Sequence, residues 1–252
     1  RFLGLGINDN VPDAKTIWLF RDNLTKGNMI EKLFGYLDKQ LDKDGIIVHK
    51  GKLVDASIVE VPVQRNSRDE NKQLKEGSVP EEWSENKVRQ KDTDAKWVTH
   101  NGKDYFGYKN HIKADSKTKL ITGYKATAAN IHDSEMLETL VDKKEDGGQP
   151  LNADSAYRSE AIEEMCSSKN IESQIHEKGY RNKPLTKRQQ QCNKKKSKTR
   201  ARVEHIFGFM TNSMNEMYLH YRNFVRNEAG IGLMNLTYNL FRLVQLNIEL
   251  KS

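Results

Sequence analysis

The sequence predicts an α/β fold in which helices cover a mixed β-sheet. Segments rich in β-branched residues alternate with segments of helical periodicity, and a hairpin pattern lies near the middle of the chain. Beyond the hairpin, the order becomes helix, strand, helix, strand. Antiparallel strands followed by alternating helices and strands are typical of a mixed sheet, in which some neighbouring strands are antiparallel and others are parallel.

Residues 1–45 are predicted to be mostly helical. Asp13 can cap a helix over residues 14–23, and apolar residues at helical spacing predict a second helix over residues 26–41. We expect this N-terminal helical segment to be the remnant of a longer N-terminal region. Residues 46–252 are then expected to form the main domain.

The first strands are predicted over residues 45–49 and 52–63, paired around Lys50 and Gly51. Residues 64–104 form a polar excursion whose first part has no periodicity. Strand patterns return at residues 105–114 and 120–128, and the short connection between them predicts a hairpin.

The second half of the chain alternates helices and strands. A helix over residues 135–143, capped by Asp133 or Ser134, precedes a short buried strand over residues 150–153. A helix over residues 159–168 and a strand over residues 171–176 follow. The last helices are predicted over residues 199–214 and 228–250, and the final one is apolar on most sides, which suits burial in a core or in an oligomer contact.

The positive charge of the chain is concentrated in one segment. The formal net charge is +7, whereas residues 178–202 alone contain eleven basic and no acidic side chains, so the remainder carries −4. A run of glutamines and the lack of apolar residues predict a mobile basic loop over residues 178–199. A solvated linker is one interpretation. The position of the loop between two patterned elements favours contact with nucleic-acid phosphates.

Other classes of protein are excluded by composition. No stretch reaches the roughly 18 apolar residues of a membrane helix, so we expect no membrane partner. The two cysteines, Cys166 and Cys192, form neither a disulfide framework nor a zinc-binding spacing. We therefore expect a reducing, cytoplasmic compartment.

Three acidic residues occupy positions at which a carboxylate is unusual and calls for an explanation. Asp55 interrupts a β-branched strand, Asp154 follows a buried strand, and Glu204 lies on the helix of residues 199–214. Each has an ordinary interpretation: a wet strand face, a turn or cap, and a surface ion pair with Arg200, respectively. Brought together, the three would repel one another unless they bound divalent cations, and oxygen ligands suit Mg²⁺ or Mn²⁺.

With these acids in place, the sequence resembles the DDE-type transposases of bacterial insertion sequences, of the IS-five kind. The stretches that carry the resemblance occur in family order and cover nearly the whole chain. They are FLGL at residues 2–5, PDAKTIWLFR at 12–21, VDASIV at 54–59, KDTDAKW at 91–97, YFGYKNH at 105–111, TAANIHDS at 127–134, ADSAY at 153–157 and RVEHIFG at 202–208.

The resemblance implies a ribonuclease-H-like catalytic domain over residues 46–252. Asp55, Asp154 and Glu204 would be its catalytic residues and would bind two Mg²⁺ or Mn²⁺ ions. The protein would cleave double-stranded DNA at terminal inverted repeats and join the 3′-hydroxyl ends to target DNA by transesterification, as a homodimer associated with the bacterial nucleoid. The residues expected to bind DNA are Arg158, Lys187, Arg188, Lys194, Lys195, Lys196, Lys198, Arg200 and Arg202.

The chain departs from a wider signature of related transposases at two positions. That signature has a Tyr where this chain has Ser197 and a Lys where it has Thr211. Two other functions stay open, a relative that binds DNA without cutting it and a ribonuclease-H-like nuclease without strand transfer.

The roles of several neighbouring residues also stay open. We expect His111 and His132 to be structural and Asp133 to be a cap. Trp97 either anchors the excursion or stacks on a base, and Tyr157 either packs under its strand or, with Arg158, reaches a phosphate.

Overall fold

The computed structural model describes residues 4, 6, 9–214 and 216–249. Phe2, Leu3, Leu5 and Leu250, which carried sequence predictions, lie outside these residues. The described strands form one mixed sheet. In chain order they are β1 (Lys52–Glu60), β2 (Lys96–His100), β3 (Lys103–Asp115), β4 (Ile121–Ala128), β5 (Pro150–Asn152) and β6 (Glu172–Ser173).

Helices precede, interrupt and follow these strands. They are α1 (Ala14–Lys26), α2 (Met29–Lys43), α3 (Arg68–Lys75), α4 (Glu85–Gln90), α5 (Leu137–Leu140), α6 (Lys143–Asp146), α7 (Glu160–Ser168), α8 (Lys187–Ser213) and α9 (Phe224–Glu249). In the described part of the chain, no helix combines the length and the apolar character that crossing a bilayer requires.

The centre of the sheet is β1, which pairs antiparallel with β3 and parallel with β5. On the edge of β3 that faces away from β1, β2 pairs with the N-terminal half and β4 with the C-terminal half. Strand β6 pairs parallel with β5 and extends that side of the sheet. Leu53 packs in a cluster with Val203 and Ile206 of α8, whereas Val54 packs in a second cluster with Leu137 and Leu151. Both faces of β1 are thus covered, as its β-branched composition indicates.

The predicted hairpin is confirmed, because β3 and β4 pair antiparallel across residues 108–128. The predicted strand over residues 45–49, with its pairing around Lys50 and Gly51, is wrong. These residues form a turn in which His49 has φ 52°, and Ile47 packs against Leu41 and Leu120. Ile46 and Ile47 belong to a small apolar cluster with Leu41 and Leu120, whereas Val48 is exposed.

The predicted polar excursion has structure of its own. Ser67 and Ser84 cap α3 and α4, and β2 belongs to the main sheet. Trp83 is buried and its Nε1 donates a hydrogen bond to Glu70 Oε1 at 2.6 Å. Trp97 stays 46% exposed and rests against Phe106, with ring centroids 5.2 Å apart. Short capped helices can be polar throughout, which explains why the segment lacks a visible period.

The basic segment is mostly helical, so the predicted mobile loop over residues 178–199 is wrong from residue 187 onward. A capping box between Thr186 and Gln189 starts α8, a single helix of 27 residues. The Asn193 side chain pairs with the backbone N–H and C=O of Glu177 at 2.9 and 3.0 Å, and Lys196 Nζ donates to Ile175 O at 2.8 Å. The cap and these side-chain anchors hold the helix despite its like charges.

The last helix is held by asparagines as much as by apolar residues. Asn239 accepts a hydrogen bond from Ile121 N and donates one to Ile121 O, at 2.8 and 2.7 Å, and Asn235 pairs with buried Asn110 of β3. The predicted helix is confirmed, and these hydrogen bonds explain how its asparagine side chains can be buried. Leu240, Phe241 and Val244 are about half exposed, so the oligomer contact expected here stays a prediction.

Gly107 provides a test of the sheet, because β1, β2 and β3 meet at this residue. It has φ +155°, and an added Cβ would lie 2.2 Å from Val59 O. We expect Gly107→Ala to reduce the free energy of unfolding by about 3 kcal/mol, measured by urea denaturation. The control is Gly123→Ala in β4, where the nearest atom is the flexible Lys113 Cε at 3.4 Å. Equal stabilities of the two variants would contradict this account.

Candidate active site

Two of the three predicted acids come from neighbouring parallel strands. Leu53 of β1 pairs with Asn152 of β5, and Asp55 and Asp154 each lie two residues beyond that pair. Neighbouring strands are about 4.8 Å apart, so the register places both carboxylates at one level of the sheet. Asp154 also caps the 3₁₀ turn of residues 155–157 by accepting a hydrogen bond from Ser155 N, so the cap interpretation is correct as well.

The third acid is brought over β1 by α8. Val203, one residue before Glu204, is buried in the same cluster as Leu53. Arg200 Nη2 donates to Glu204 Oε1 at 2.9 Å, and Arg200 Nη1 donates to Asp55 Oδ2 at 3.3 Å. The ion pair expected as the ordinary interpretation of Glu204 is therefore present. The same guanidinium also reaches across 145 residues of sequence to Asp55, and links the two acids.

The site holds more negative charge than Arg200 neutralises. Burial raises the pKa of Asp55 to about 6, and the charges of Asp154 and Asp133 add to that increase. The hydrogen bond from Ala56 N, at 2.9 Å, and the Arg200 charge act in the opposite direction without cancelling it. An acid with a raised pKa, near other acids, is the electrostatic condition that a divalent cation relieves.

A fourth acid near the site was assigned only a capping role from the sequence. Asp133 Oδ1 pairs with Lys109 Nζ at 2.8 Å, and its charge contributes to the raised pKa of Asp55. The predicted cap at Asp133 or Ser134 is wrong, since the turn of residues 133–136 is capped by His132, whose Nδ1 accepts from Ser134 N. Local spacing suggests a cap, whereas the distance to Asp55 depends on the tertiary fold.

Several polar atoms close to these acids are buried without a hydrogen-bond partner in the part of the chain that the structure describes. They include Tyr157 Oη, His176 Nε2 and Arg200 Nε. Burial, and then the charges of Asp55, Asp133 and Asp154, raise the pKa of Tyr157 above its ordinary value. Tyr157 packs under its strand, as one of its two interpretations held. Polar atoms of this kind are available to a ligand.

His111 fits its structural interpretation. It is fully buried, and its Nε2 lies 2.8 Å from Thr127 Oγ1. Burial lowers its pKa to about 4, so the imidazole is neutral at pH 7. A neutral buried ring supports β3 and β4 rather than supplying charge to the site.

The carboxylate side chains at the site suit a divalent cation. The present arrangement, however, leaves no open position for one between them. Within the described residues, no group of three or more His, Cys, Asp or Glu side chains is arranged to hold a metal ion. At the predicted site, the guanidinium of Arg200 stands between Asp55 and Glu204. Carboxylate oxygens are the ligands that Mg²⁺ and Mn²⁺ prefer, so these residues could hold such an ion once Arg200 moves.

The nine residues predicted to bind DNA divide into two groups. Four have partners inside the protein: Arg200 contacts the acids, Lys196 contacts Ile175 O, Arg202 Nη1 donates to Ser116 O at 2.6 Å, and Arg158 pairs with two glutamates. The other five are exposed and spaced along one side of α8. We call them the basic stripe, which consists of Lys187, Arg188, Lys194, Lys195 and Lys198.

A groove of about 510 Å³ lies beside the acids. It is lined by Ser57 of β1, Lys109 and Tyr105 of β3, Thr211 of α8 and Tyr218. Because Ala56, the neighbour of Asp55 in β1, also lines it, the groove begins one residue, about 3.3 Å along the strand, from that carboxylate-bearing position. It offers room beside the site for an extended polymer.

A known protein family matches most of the chain. A family model described as the transposase DDE domain matches residues 48–240, about three quarters of the chain. The matched range includes Asp55, Asp154 and Glu204. The model describes the family as a whole, so the IS-five kind stays a prediction. No solved structure matches the chain.

The raised pKa of Asp55 predicts a pH-dependent stability. Between its unfolded value of 3.8 and its folded value of about 6, the folded protein keeps a proton that the unfolded chain has lost. Asp55 therefore lowers stability as the pH rises through this window, and the full cost is present at pH 7. In EDTA, we expect Asp55→Asn to be about 2 kcal/mol more stable than wild type at pH 7, with no gain near pH 4.

Urea denaturation at both pH values measures this difference. The exposed Asp69→Asn serves as the control for loss of a carboxylate, and its stability should follow wild type. A lower stability of Asp55→Asn at pH 7 would show that Asp55 is a net stabilising ion-pair partner of Arg200, against our account.

Proposed function

The chain belongs to the transposase DDE domain family, and on that premise we propose that it cuts the ends of a mobile DNA element and joins them to target DNA. Membership implies a metal-dependent enzyme that cleaves DNA and transfers strands. The observation that carries the proposal is the meeting of Asp55 and Asp154 at one level of the sheet, with Glu204 linked to Asp55 through Arg200.

We assign the metal ligands to Asp55, Asp154 and Glu204. Two bound Mg²⁺ or Mn²⁺ ions would lower the pKa of an attacking water or 3′-hydroxyl and stabilise the leaving oxygen of a phosphodiester. Asp55 accepts a hydrogen bond from Ala56 N, and Asp154 accepts one from Ser155 N. Each bond uses one carboxylate oxygen and fixes the side chain. The other oxygen of Asp154 can face a cation, and that of Asp55 can do so once Arg200 Nη1 leaves it.

The proposed reaction has two steps, and the number of phosphodiester bonds does not change in the second. Water attacks the phosphorus at the end of the element, the bond to the 3′ oxygen breaks, and a free 3′-hydroxyl results. That hydroxyl then attacks a phosphorus of the target, and one phosphodiester forms as another breaks. The second step therefore needs no external energy source.

The basic stripe is the proposed contact for the DNA backbone. Helix α8 rises about 1.5 Å per residue, so the stripe extends from about 9 Å to about 25 Å from Glu204 along the axis. One rigid helix thus carries both the phosphate contacts and a catalytic acid. Phosphates bound to the stripe are held at a fixed distance from the chemistry, and this binding should weaken steeply with salt.

The joining of two ends to one target requires two active sites. We therefore propose a homodimer on DNA. The exposed apolar side chains of α9, Leu240, Phe241 and Val244, are the candidate contact. The substrate is chromosomal DNA, which places the protein at the nucleoid in the bacterial cytoplasm.

A labelled duplex that carries the terminal repeat of the element, taken from the DNA around the gene, tests the proposal. We expect strand-transfer products with Mg²⁺ or Mn²⁺ and none in EDTA. Asp154→Asn should abolish cleavage and leave DNA affinity unchanged or higher, because a negative charge is removed. The surface variant Asp69→Asn should behave as wild type.

Each alternative function has its own result in this assay. Hydrolysis without joined products would identify a nuclease. Binding that EDTA does not affect, with no cleavage in either metal, would identify a DNA-binding relative. Full cleavage by Asp154→Asn would refute the assignment of the three acids.

A further inference from the structure

We propose that Arg200 is an internal counter-cation that closes the metal site until DNA phosphate draws it away. DNA and divalent metal would then bind cooperatively, each increasing the affinity for the other. The inference rests on the proposed function of the three acids. It adds a coupling between the two ligands and a residue that transmits it.

The first support is the position of the guanidinium. Its two terminal nitrogens donate to different acids, Nη1 to Asp55 at 3.3 Å and Nη2 to Glu204 at 2.9 Å. Asp55 is 19% exposed and Arg200 is 23% exposed, so this contact is largely shielded from water. A cation that bridges two metal ligands in this way occupies oxygens that a divalent ion needs, so the metal must compete with it.

The second support is the third nitrogen of the same group. Arg200 Nε is buried and has no hydrogen-bond partner among the described residues. A guanidinium can offer two parallel N–H donors to a phosphate, and this geometry is among its strongest interactions. Arg200 therefore keeps an unused donor in its present position and has a better acceptor available in DNA.

The third support is the location of Arg200 on α8. It lies two residues beyond Lys198, the last member of the basic stripe, and four residues before Glu204. Arg200 and Glu204 lie on the same face of α8, whereas Lys198 is about 200° from Arg200 around the helix axis, so a phosphate that reaches Arg200 comes from the side of the acids and not along the stripe. Once the guanidinium contacts a phosphate, Asp55 and Glu204 lose their shared counter-cation, and a divalent ion takes its place.

Reciprocity follows from this competition. If phosphate binding by Arg200 favours metal binding, then bound metal favours the same movement of Arg200 and raises DNA affinity by an equal factor. In the absence of DNA, the acids would stay paired with Arg200. The protein would then hold a loaded metal centre mainly when its substrate is present.

The test is the affinity for Mn²⁺, measured by isothermal titration calorimetry on the full chain with and without a short random-sequence duplex at saturation. We expect DNA to tighten Mn²⁺ binding by wild type about tenfold. Without DNA, Arg200→Gln should bind Mn²⁺ about tenfold more tightly than wild type, and DNA should add little. Arg200→Lys keeps the charge without the fork that bridges two acids, and should fall between them.

Control variants separate this effect from general electrostatics and from loss of the site. Lys183→Gln removes one exposed positive charge outside the nine predicted DNA contacts, and its Mn²⁺ affinity should match wild type. Asp154→Asn should abolish the titrated binding, which identifies the site. Thermal melting checks that each variant folds, and Arg200→Lys carries the test if Arg200→Gln does not fold.

Different failures have different meanings. Mn²⁺ binding that Asp154→Asn abolishes, with equal affinity in wild type, Arg200→Gln and Arg200→Lys, would overturn the role of Arg200 and leave the proposed function standing. The same follows if DNA tightens Mn²⁺ binding equally in wild type and in Arg200→Gln. If no Mn²⁺ binding depends on Asp154 in any variant, both proposals fail.

Discussion

The contact between Arg200 and the partly buried Asp55 joins α8 to the central strand at the point where the acids meet. Packing on both faces of β1 holds that strand in place, through Leu53 on one side and Val54 on the other. Asp55 therefore cannot move away from the neighbouring Asp154. Burial, with the charge of Asp154 adding to it, raises the pKa of Asp55. The fold tolerates this unfavourable concentration of negative charge because the two apolar clusters supply the stability that the site removes.

Helix α8 carries both the proposed DNA contacts and one of the three acids. Its N-terminal half bears the basic stripe, and its C-terminal half packs in the core through Val203, Ile206 and Met210. The helix is not an independent arm. Asn193 and Lys196 attach its exposed half to the segment that follows β6. A backbone bound along the stripe would therefore stay at a fixed distance from the acids.

Local patterns predicted the fold well wherever an element depends on its own sequence. The Asp13 cap, the β3–β4 hairpin and the short strand before Asp154 are examples. Prediction failed where tertiary contacts decide. Ile47 packs in a turn against Leu41 and Leu120, and a capping box with two side-chain anchors turns a charge-rich loop into a helix.

The candidate site divides in the same way. Asp55, Asp154 and Glu204 could be identified from their positions in predicted elements together with the family resemblance, although each alone had an ordinary interpretation. The bridge from Arg200 to Asp55 joins residues 145 apart, and no local pattern reports it. The proximity of Asp133 was missed for the same reason.

The most direct test of convergence at one metal site is localised backbone cleavage by bound iron. With DNA bound, Fe²⁺ would replace Mg²⁺, and ascorbate with peroxide would generate hydroxyl radicals that cut the peptide chain near the ion. We expect cuts clustered beside residues 55, 154 and 204, suppressed by excess Mg²⁺. Cuts confined to one of these positions, or clustered elsewhere in the chain, would contradict it.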